Sequence, residues 1–320
     1  MTAGIATASS ATRRFRHSTV ILAIVTALLV WGRPIGAADK SAMRATADSL
    51  EAALIAIPEK APSFDSTSTV KDYLAVAVAR SPKLRSAHSR WIADLKKSDH
   101  AGSLPDPVFT YAYYVENVET RVGPQEQKFG LRQSFPWFGT LGAKEDVAFA
   151  MSQASFQRFQ AARLELFYEV KAAYYDYYFL GQDLLITSEN MELLKFWESV
   201  ARSKYKVGLK RHPDVIKTQV ELGKLEDRLR SLQEQLETTA ARMRALLNLP
   251  DSIDIPVPQS IEVAERSLSG DAVVEAIREN NPNLRALGRI VESRQAGERL
   301  AGRQTMPSFS IGVDYIQTGG

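Results

Sequence analysis

The 320-residue chain contains no cysteine. That absence removes disulfide scaffolds, thiolate metal sites, cysteine nucleophiles and any lipid anchor attached through an N-terminal cysteine. Histidine is nearly as scarce. His17, His88, His100 and His212 are scattered without the spacing of a metal-binding helix, so each is expected to be a solvated surface residue. There is no P-loop, no Gly-x-Gly-x-x-Gly and no Gly-x-Ser-x-Gly elbow. Asp176, Asp183, Glu189 and Glu192 resemble paired carboxylates only superficially, because a long helix carries such charges on its wet face. No catalytic, cofactor-binding or metal-ligating residue is assigned, no cofactor is expected, and the chain is not read as an enzyme.

A strong charge imbalance is also missing. The formal net charge is +3, but Arg13, Arg14, Arg16 and Arg33 lie in the first 37 residues, which hold no acid; subtracting these four leaves the rest at −1. Nucleic acid therefore loses its electrostatic argument. Long apolar runs are absent too, apart from Val20 to Trp31, which is too short to span a bilayer comfortably. That run follows the basic stretch Arg13 to His17 and precedes Gly36-Ala37-Ala38, small residues suited to cleavage after Ala38. Residues 1–38 are thus expected to be an export signal peptide. A membrane role for the remainder must use an architecture other than apolar helices.

From Asp39 to Thr69 the composition turns to Ala, Ser, Thr and Pro, with a weak amphipathic patch at Leu50, Leu54 and Ile57 and breakers at Pro58 and Pro62. This segment, 39–69, is expected to be a flexible linker. Beyond it the chain repeats itself. A shift of 200 residues without a gap aligns Pro82, Leu84, Arg85, Ala101, Gly102, Pro107 and Phe109 with identical residues, where chance gives about two matches. Each copy opens with a short helix, over Val70 to Arg80 and Ala272 to Asn280. A Ser-Pro or Asn-Pro helix start, a second helix ending near an Ala-Gly pair and then a strand follow. The expected organisation is a first repeat over 70–255 and the start of a second over 256–320, which breaks off after one strand as in a truncated or partial sequence.

The strands alternate with period two. Phe109, Tyr111, Tyr113 and Val115 fall on one face and Thr110, Ala112 and Glu116 on the other. After the turn signal Arg121-Val122-Gly123-Pro124, Phe129, Leu131 and Phe135 alternate with Lys128, Gly130, Arg132 and Ser134, which makes a hairpin. In the second copy Phe309, Ile311, Val313 and Tyr315 alternate with Ser308, Ser310, Gly312 and Asp314.

Between Pro136-Trp137-Phe138-Gly139 and Gly208 there is no proline, and the only glycines are Gly142 and Gly181. That permits a helix of roughly 65 residues, about 100 Å long. A break at Gly208 to Pro213 leads to a second helix ending before Pro250. Its residues Val215, Thr218, Leu222, Leu225, Leu229, Leu232, Leu236, Thr239, Met243 and Leu246 keep an unbroken 3,4 spacing, the seam of a left-handed coiled coil. The two helices should fold back as an antiparallel hairpin with its tip near Gly208 to Asp214. The Tyr174, Tyr175, Tyr177 and Tyr178 cluster is read as wall packing rather than a ligand platform.

Period-two alternation fits a half-buried sheet packed on helices as well as a lipid-facing one. The export signal and the long coiled coil favour the second. Hydrocarbon forbids open sheet edges, so strands of about ten residues must close into a ring with apolar side chains toward lipid and polar ones toward water. The lipid face would then be Phe109, Tyr111, Tyr113, Val115, Phe129, Leu131, Phe135, Phe309, Ile311 and Val313, and the lumen face Glu116, Lys128 and Arg132. So few strands cannot close a barrel in one chain, which demands several copies. The expected fold class is an α+β membrane protein: long antiparallel α-helical coiled-coil hairpins plus β-hairpins contributing to an oligomeric transmembrane β-barrel.

Ser81-Pro82-Lys83-Leu84, Asn281-Pro282-Asn283-Leu284, Leu104-Pro105-Asp106-Pro107, Gln133-Ser134-Phe135-Pro136-Trp137-Phe138-Gly139, Tyr205-Lys206-Val207-Gly208-Leu209 and Pro213-Asp214-Val215 together resemble the TolC-like outer membrane efflux proteins. The similarity spans roughly residues 70 to 320, and the Pro-Trp-Phe-Gly turn is more similar to the heavy-metal-efflux branch. The resemblance implies a homotrimer in which each chain gives four strands to one twelve-stranded outer membrane barrel, continued by a helical tunnel in the periplasm. It also implies a passive export duct for small molecules or metal ions, working with a periplasmic adaptor protein and an inner membrane transporter. It places Val207, Gly208, Leu209 and Asp214 at the tip that meets the adaptor. The family's second helical hairpin, with its acidic gate, falls beyond Gly320. The alternative reading is a periplasmic coiled-coil adaptor or scaffold without channel activity.

Overall fold

A computed structural model describes residues 40–55, 64–121, 123–208, 212–261 and 269–318. The expected signal peptide, 1–38, lies outside the described residues. In chain order the elements are α1 (Lys40–Ile55), α2 (Val70–Arg80), α3 (Pro82–Ala101), β1 (Val108–Thr120), β2 (Gly123–Phe135), α4 (Thr140–Lys206), α5 (His212–Leu246), α6 (Gly270–Asn280), α7 (Pro282–Gln304) and β3 (Phe309–Thr318). They form two compact units: residues 1–85 with 162–267, and 86–161 with 268–320.

The first unit holds the helical hairpin. α4, 67 residues long, ends at Gly208, whose φ of 77° supplies the left-handed C-cap expected of glycine. α5 then runs back beside it: Arg228 pairs with Asp183 at 2.9 Å and Gln219 donates to Glu198 at 3.3 Å, the crossed order of antiparallel helices. Every residue of the α5 seam, from Val215 to Leu246, is buried or half-buried, while their neighbours Ile216, Lys217, Gln219 and Val220 are exposed. Asn248 closes α5 in the left-handed region at φ 51°, and its side chain and carbonyl clamp Arg80 through two 3.2 Å hydrogen bonds. Gly181 admits the Val257 side chain, which a Cβ would displace.

The tyrosine cluster anchors this unit. Tyr73 is fully buried, stacked on Phe64 with ring centroids 4.5 Å apart and tilted against Tyr174 at 5.2 Å. Tyr177 donates to the Ile255 carbonyl at 2.7 Å. Burial pushes both phenols above their ordinary range, Tyr73 the further. Tyr175 and Tyr178 are less covered. The linker expectation for 39–69 is corrected over Lys40–Ile55. That segment is helix because Met43, Ala47 and Leu50 recur on one face and are buried, and its alanines favour the helix.

In the second unit α3 lies on the first part of α4 through an aromatic cluster. Trp91 is fully buried, 4.8 Å from Phe156 and 6.1 Å from Phe159 between ring centroids. His88 belongs to this cluster, 7% exposed and 5.6 Å from both Trp91 and Phe159. The expectation of a solvated histidine is therefore wrong here. His88 follows Leu84 by four residues and precedes Trp91 by three and Leu95 by seven, so it sits in the apolar stripe of α3. His100 and His212 are exposed, and His17 lies outside the described residues. α7 packs on α4 by a different, small-residue face: Ala286, Ser293 and Ala296 are buried and Ser293 donates to the Val147 carbonyl at 3.0 Å.

The repeated joints are alike in detail. Ser81 and Asn281 each end one helix and start the next, with φ, ψ of −66°, 116° and −71°, 113°, and each N–H donates at 2.9 Å, to Ala77 and Ile277. Their side chains then accept from Leu84 and Asn283. Pro82 and Pro282 occupy first helical positions, where the missing N–H costs nothing.

Candidate functional site: an amphipathic sheet and a helical tip

The three strands form one antiparallel sheet in the order β1-β2-β3. Register places Phe109 opposite Leu131 opposite Val313, and Tyr111 opposite Phe129 opposite Tyr315; Phe135 faces Phe309 and Gln133 faces Ile311. Directly paired residues share a face, so these side chains make one continuous surface. Aromatic contacts run across it, with ring centroids 5.2 Å apart for Tyr111 and Phe129, 6.5 Å for Phe129 and Tyr315, and 6.1 Å for Phe135 and Phe309.

That surface is bare. Phe109 is 66% exposed, Tyr113 63%, Ile311 67% and Val313 74%. Burying such side chains contributes about 1.5–3 kcal/mol each. A sheet leaving all of them uncovered is matched to an apolar surrounding rather than to water.

The opposite face is more polar but mixed, with Val108 paired to Arg132 and Ala112 and Ile316 paired to Lys128. Lys128 and Arg132 lie there with Thr110, Gly130, Ser134, Gly312 and Asp314. The Lys128 ammonium pairs with Asp314 at 3.0 Å. Asp314 lies directly over Gly130, where an added Cβ would come within 2.5 Å of its carboxylate. Glycine is thus what lets the acid lean across to Lys128. Strand alternation placed Lys128 and Arg132 together on this face; the paired Asp314 was legible only as an alternating polar residue, its partner only from the register.

The alternation does not extend along all of β1. Tyr113 pairs with Gln127 but the next pair is Val118 with Gln125, so a bulge lies between them. Val115 and Glu116 fall inside it, and the ladder assigns neither to a face; Val115 is 90% exposed. A bulge has no period-two signature, which is why the sequence pattern ran straight through it.

At the turn between α4 and α5, Val207 is 68% exposed beside Gly208, where an added Cβ would meet nothing within 4 Å among the described residues beyond its chain neighbours. Leu209 lies outside the described residues. Asp214 sits in the first turn of α5, where a carboxylate suits the helix dipole, and its carbonyl accepts from the Thr218 hydroxyl at 3.0 Å. The His212 ring lies 5.2 Å from Tyr205 across the turn. Two turns back from Tyr205, hydrogen bonds from Arg202 hold the Glu198 carboxyl below its usual range.

A two-faced antiparallel sheet with open edges, in one chain with helices of 67 and 35 residues, is the plan of a channel subunit. The comparisons with known proteins agree. The chain belongs to the outer membrane efflux protein family, whose model matches residues 75–249. Similar solved structures include the outer membrane protein VceC of Vibrio cholerae, 16% identical with a TM-score of 0.61, covering 78% of this chain and 68% of that one. They also include the outer-membrane channel OprN, at 18% identity and TM-score 0.64, covering 81% and 62%. The CmeC outer membrane channel of Campylobacter jejuni is 14% identical with a TM-score of 0.59, covering 80% and 59%. The chain thus spans less than two thirds of OprN and of CmeC. No curated protein matches it significantly by sequence. The family consists of passive outer membrane efflux channels with a helical tunnel in the periplasm, not enzymes, and nothing favours the adaptor alternative.

Proposed function

We propose that this polypeptide is the outer membrane duct of a tripartite efflux system, built as a homotrimer. The observation that carries the reading is the bare aromatic face of the β1-β2-β3 sheet. In a membrane barrel Phe109, Tyr111, Tyr113, Phe129, Leu131, Phe135, Phe309, Ile311 and Val313 touch acyl chains, joined by Val115 of the bulge, while Lys128, Arg132 and Glu116 wet the lumen. β1 and β3 are edges of the sheet, and an edge in hydrocarbon must be paired.

Self-association has a second support. On α4 the exposed residues Leu164, Tyr168, Tyr175, Phe179, Ile186 and Leu193 recur at steps of four and seven, an apolar stripe with an 11-residue rather than a heptad period over 164–186. The tip formed by Val207, Gly208, Leu209 and Asp214 is the surface offered to a periplasmic adaptor, which couples the duct to an inner membrane transporter. Cargo, small molecules or metal ions, passes without chemistry. Residues 1–38 are the export signal and 70–255 and 256–320 successive repeats.

Fractionation tests the reading. The chain, expressed with its leader, should partition with the outer membrane and run in detergent as a trimer that heating dissociates. A water-soluble monomer released by osmotic shock would refute it and return the coiled-coil scaffold alternative.

A further inference from the structure

We propose that Arg132 forms an anion-selecting ring in the lumen of the duct, so that the barrel favours small solutes carrying carboxylate or phosphate groups over hydrated metal cations. The inference rests on the duct reading and deepens it by naming the charge class of the cargo and the residue that sets it.

From the Arg132 row to the Lys128 row, the lumen face of the sheet carries three charges: Arg132, Lys128 and Asp314. Two of them cancel. Lys128 and Asp314 form a 3.0 Å ion pair, for which Gly130 leaves the room. Arg132 stands apart: it is exposed, lies across the strands from Val108 and Gly312, and has no ion-pair partner among the described residues. Glu116, the other acid assigned to the lumen, does not offset it. Its bulge begins past the pair of Tyr113 with Gln127, five residues of β2 from Arg132, or about 17 Å at roughly 3.4 Å per residue. Charges so far apart act separately, because the Debye length is about 8 Å at physiological ionic strength.

In a homotrimer, symmetry sets the three copies of Arg132 at one level of the lumen. A ring of cationic side chains raises the local concentration of anions and opposes cations. Arginine adds geometry to charge, because its planar fork donates two parallel hydrogen bonds to a carboxylate or phosphate. Its neighbour across β3 is Gly312, which has no side chain to cover the guanidinium. A neighbouring copy that brings an acid to Arg132 is the rival arrangement, and it would leave the ring without selectivity.

The absence of cysteine allows the charge at this position to be changed after assembly. The full chain, native or carrying Arg132→Cys, is reconstituted in a planar bilayer under a potassium chloride gradient. The reversal potential gives the chloride-to-potassium permeability ratio. The native chain should favour chloride at about 0.1 M salt and lose that preference near 1 M, where the Debye length is only about 3 Å. Arg132→Cys should abolish the preference; a cationic methanethiosulfonate added to the same channels should restore it and an anionic one reverse it. Asp314→Asn, which frees Lys128, should raise the ratio above the native one. A native chain that favours potassium, a ratio indifferent to the charge at 132, or no rise in Asp314→Asn overturns the ring and leaves the duct standing. A chain that opens no ion conductance overturns the duct reading itself.

Discussion

Val313→Lys separates the lipid-facing reading from a water-facing one. Val313 lies opposite Leu131, with Phe109 beyond it, in a row between the two aromatic rows of the sheet, two residues of β2 from Phe129 and four from Phe135. A lysine at the midplane of a barrel costs about 2–4 kcal/mol, and three copies in a trimer would multiply that to about 6–12 kcal/mol if the sites act independently. The neighbouring change Asp314→Asn, one residue along and on the opposite face, removes only the half-exposed pair with Lys128 and should cost no more than about 1 kcal/mol. The assay is the amount of heat-dissociable trimer in the outer membrane fraction, with total chain measured alongside. Val313→Lys should nearly abolish trimer while Asp314→Asn leaves most of it. Equal accumulation of the two variants would mean that Val313 meets water, and the orientation of the whole sheet would have to be reversed or abandoned.

Tyr73→Phe and Tyr177→Phe should act with opposite signs. The fully buried Tyr73 hydroxyl has no hydrogen-bond partner among the described residues, so its loss should be neutral or stabilising by up to about 1 kcal/mol, whereas Tyr177→Phe orphans the Ile255 carbonyl and should cost about 1–3 kcal/mol in thermal unfolding. Both native phenols titrate above the unfolded value of about 10, so their contribution is intact below that pH and is lost as pH rises through the folded values. Alkaline unfolding followed by tyrosinate absorbance should thus begin later in Tyr73→Phe. Gly208→Ala forces a Cβ into the left-handed region at a cost of about 1 kcal/mol. With open space around it, trimer yield should hold while efflux by the assembled pump falls. Phe179→Glu or Ile186→Glu on the exposed α4 stripe should lower the trimer fraction in detergent without unfolding the chain, as read by helical circular dichroism. Gly130→Ala should destabilise the trimer to thermal dissociation in the native background by displacing Asp314, yet be neutral or stabilising in an Asp314→Ala background, where strand glycine has no acid to accommodate.

Sequence periodicity reached far here because both solvents of this chain enforce it. The α5 seam could be written down residue by residue from its 3,4 spacing, since a helix paired along its whole length buries one stripe and no other. The strands were legible for the same reason with a period of two. The pattern failed where something other than periodicity decides. The β1 bulge removes Val115 and Glu116 from the alternation. His88 was read by its chemistry rather than by its place in a stripe with Leu84, Trp91 and Leu95. The helix over Lys40–Ile55 was hidden by prolines downstream of it. Arg303 carried no signal at all, because its guanidinium meets the Phe138 carbonyl and Gly139 from 165 residues away in the chain.

The internal repeat shows how little of the packing a duplication must preserve. α3 and α7 share their starts, their Ser or Asn joints and the strand that follows, all set by residues close in sequence. Their buried faces nevertheless differ. α3 meets α4 through Trp91 and His88, large rings that fill the space between helices, whereas α7 meets it through Ala286, Ser293 and Ala296. Small side chains let backbones approach, and the 3.0 Å bond from Ser293 to the Val147 carbonyl requires that approach. The positions equivalent to Leu84 and Trp91, Leu284 and Val291, are left about half exposed. Local signals therefore fix where each helix begins and ends, while side-chain volume fixes which face it turns inward. Two copies of one backbone plan can then meet the same long helix at different residues, α3 at Phe156 and Phe159 and α7 at Val147, without competing for the same surface.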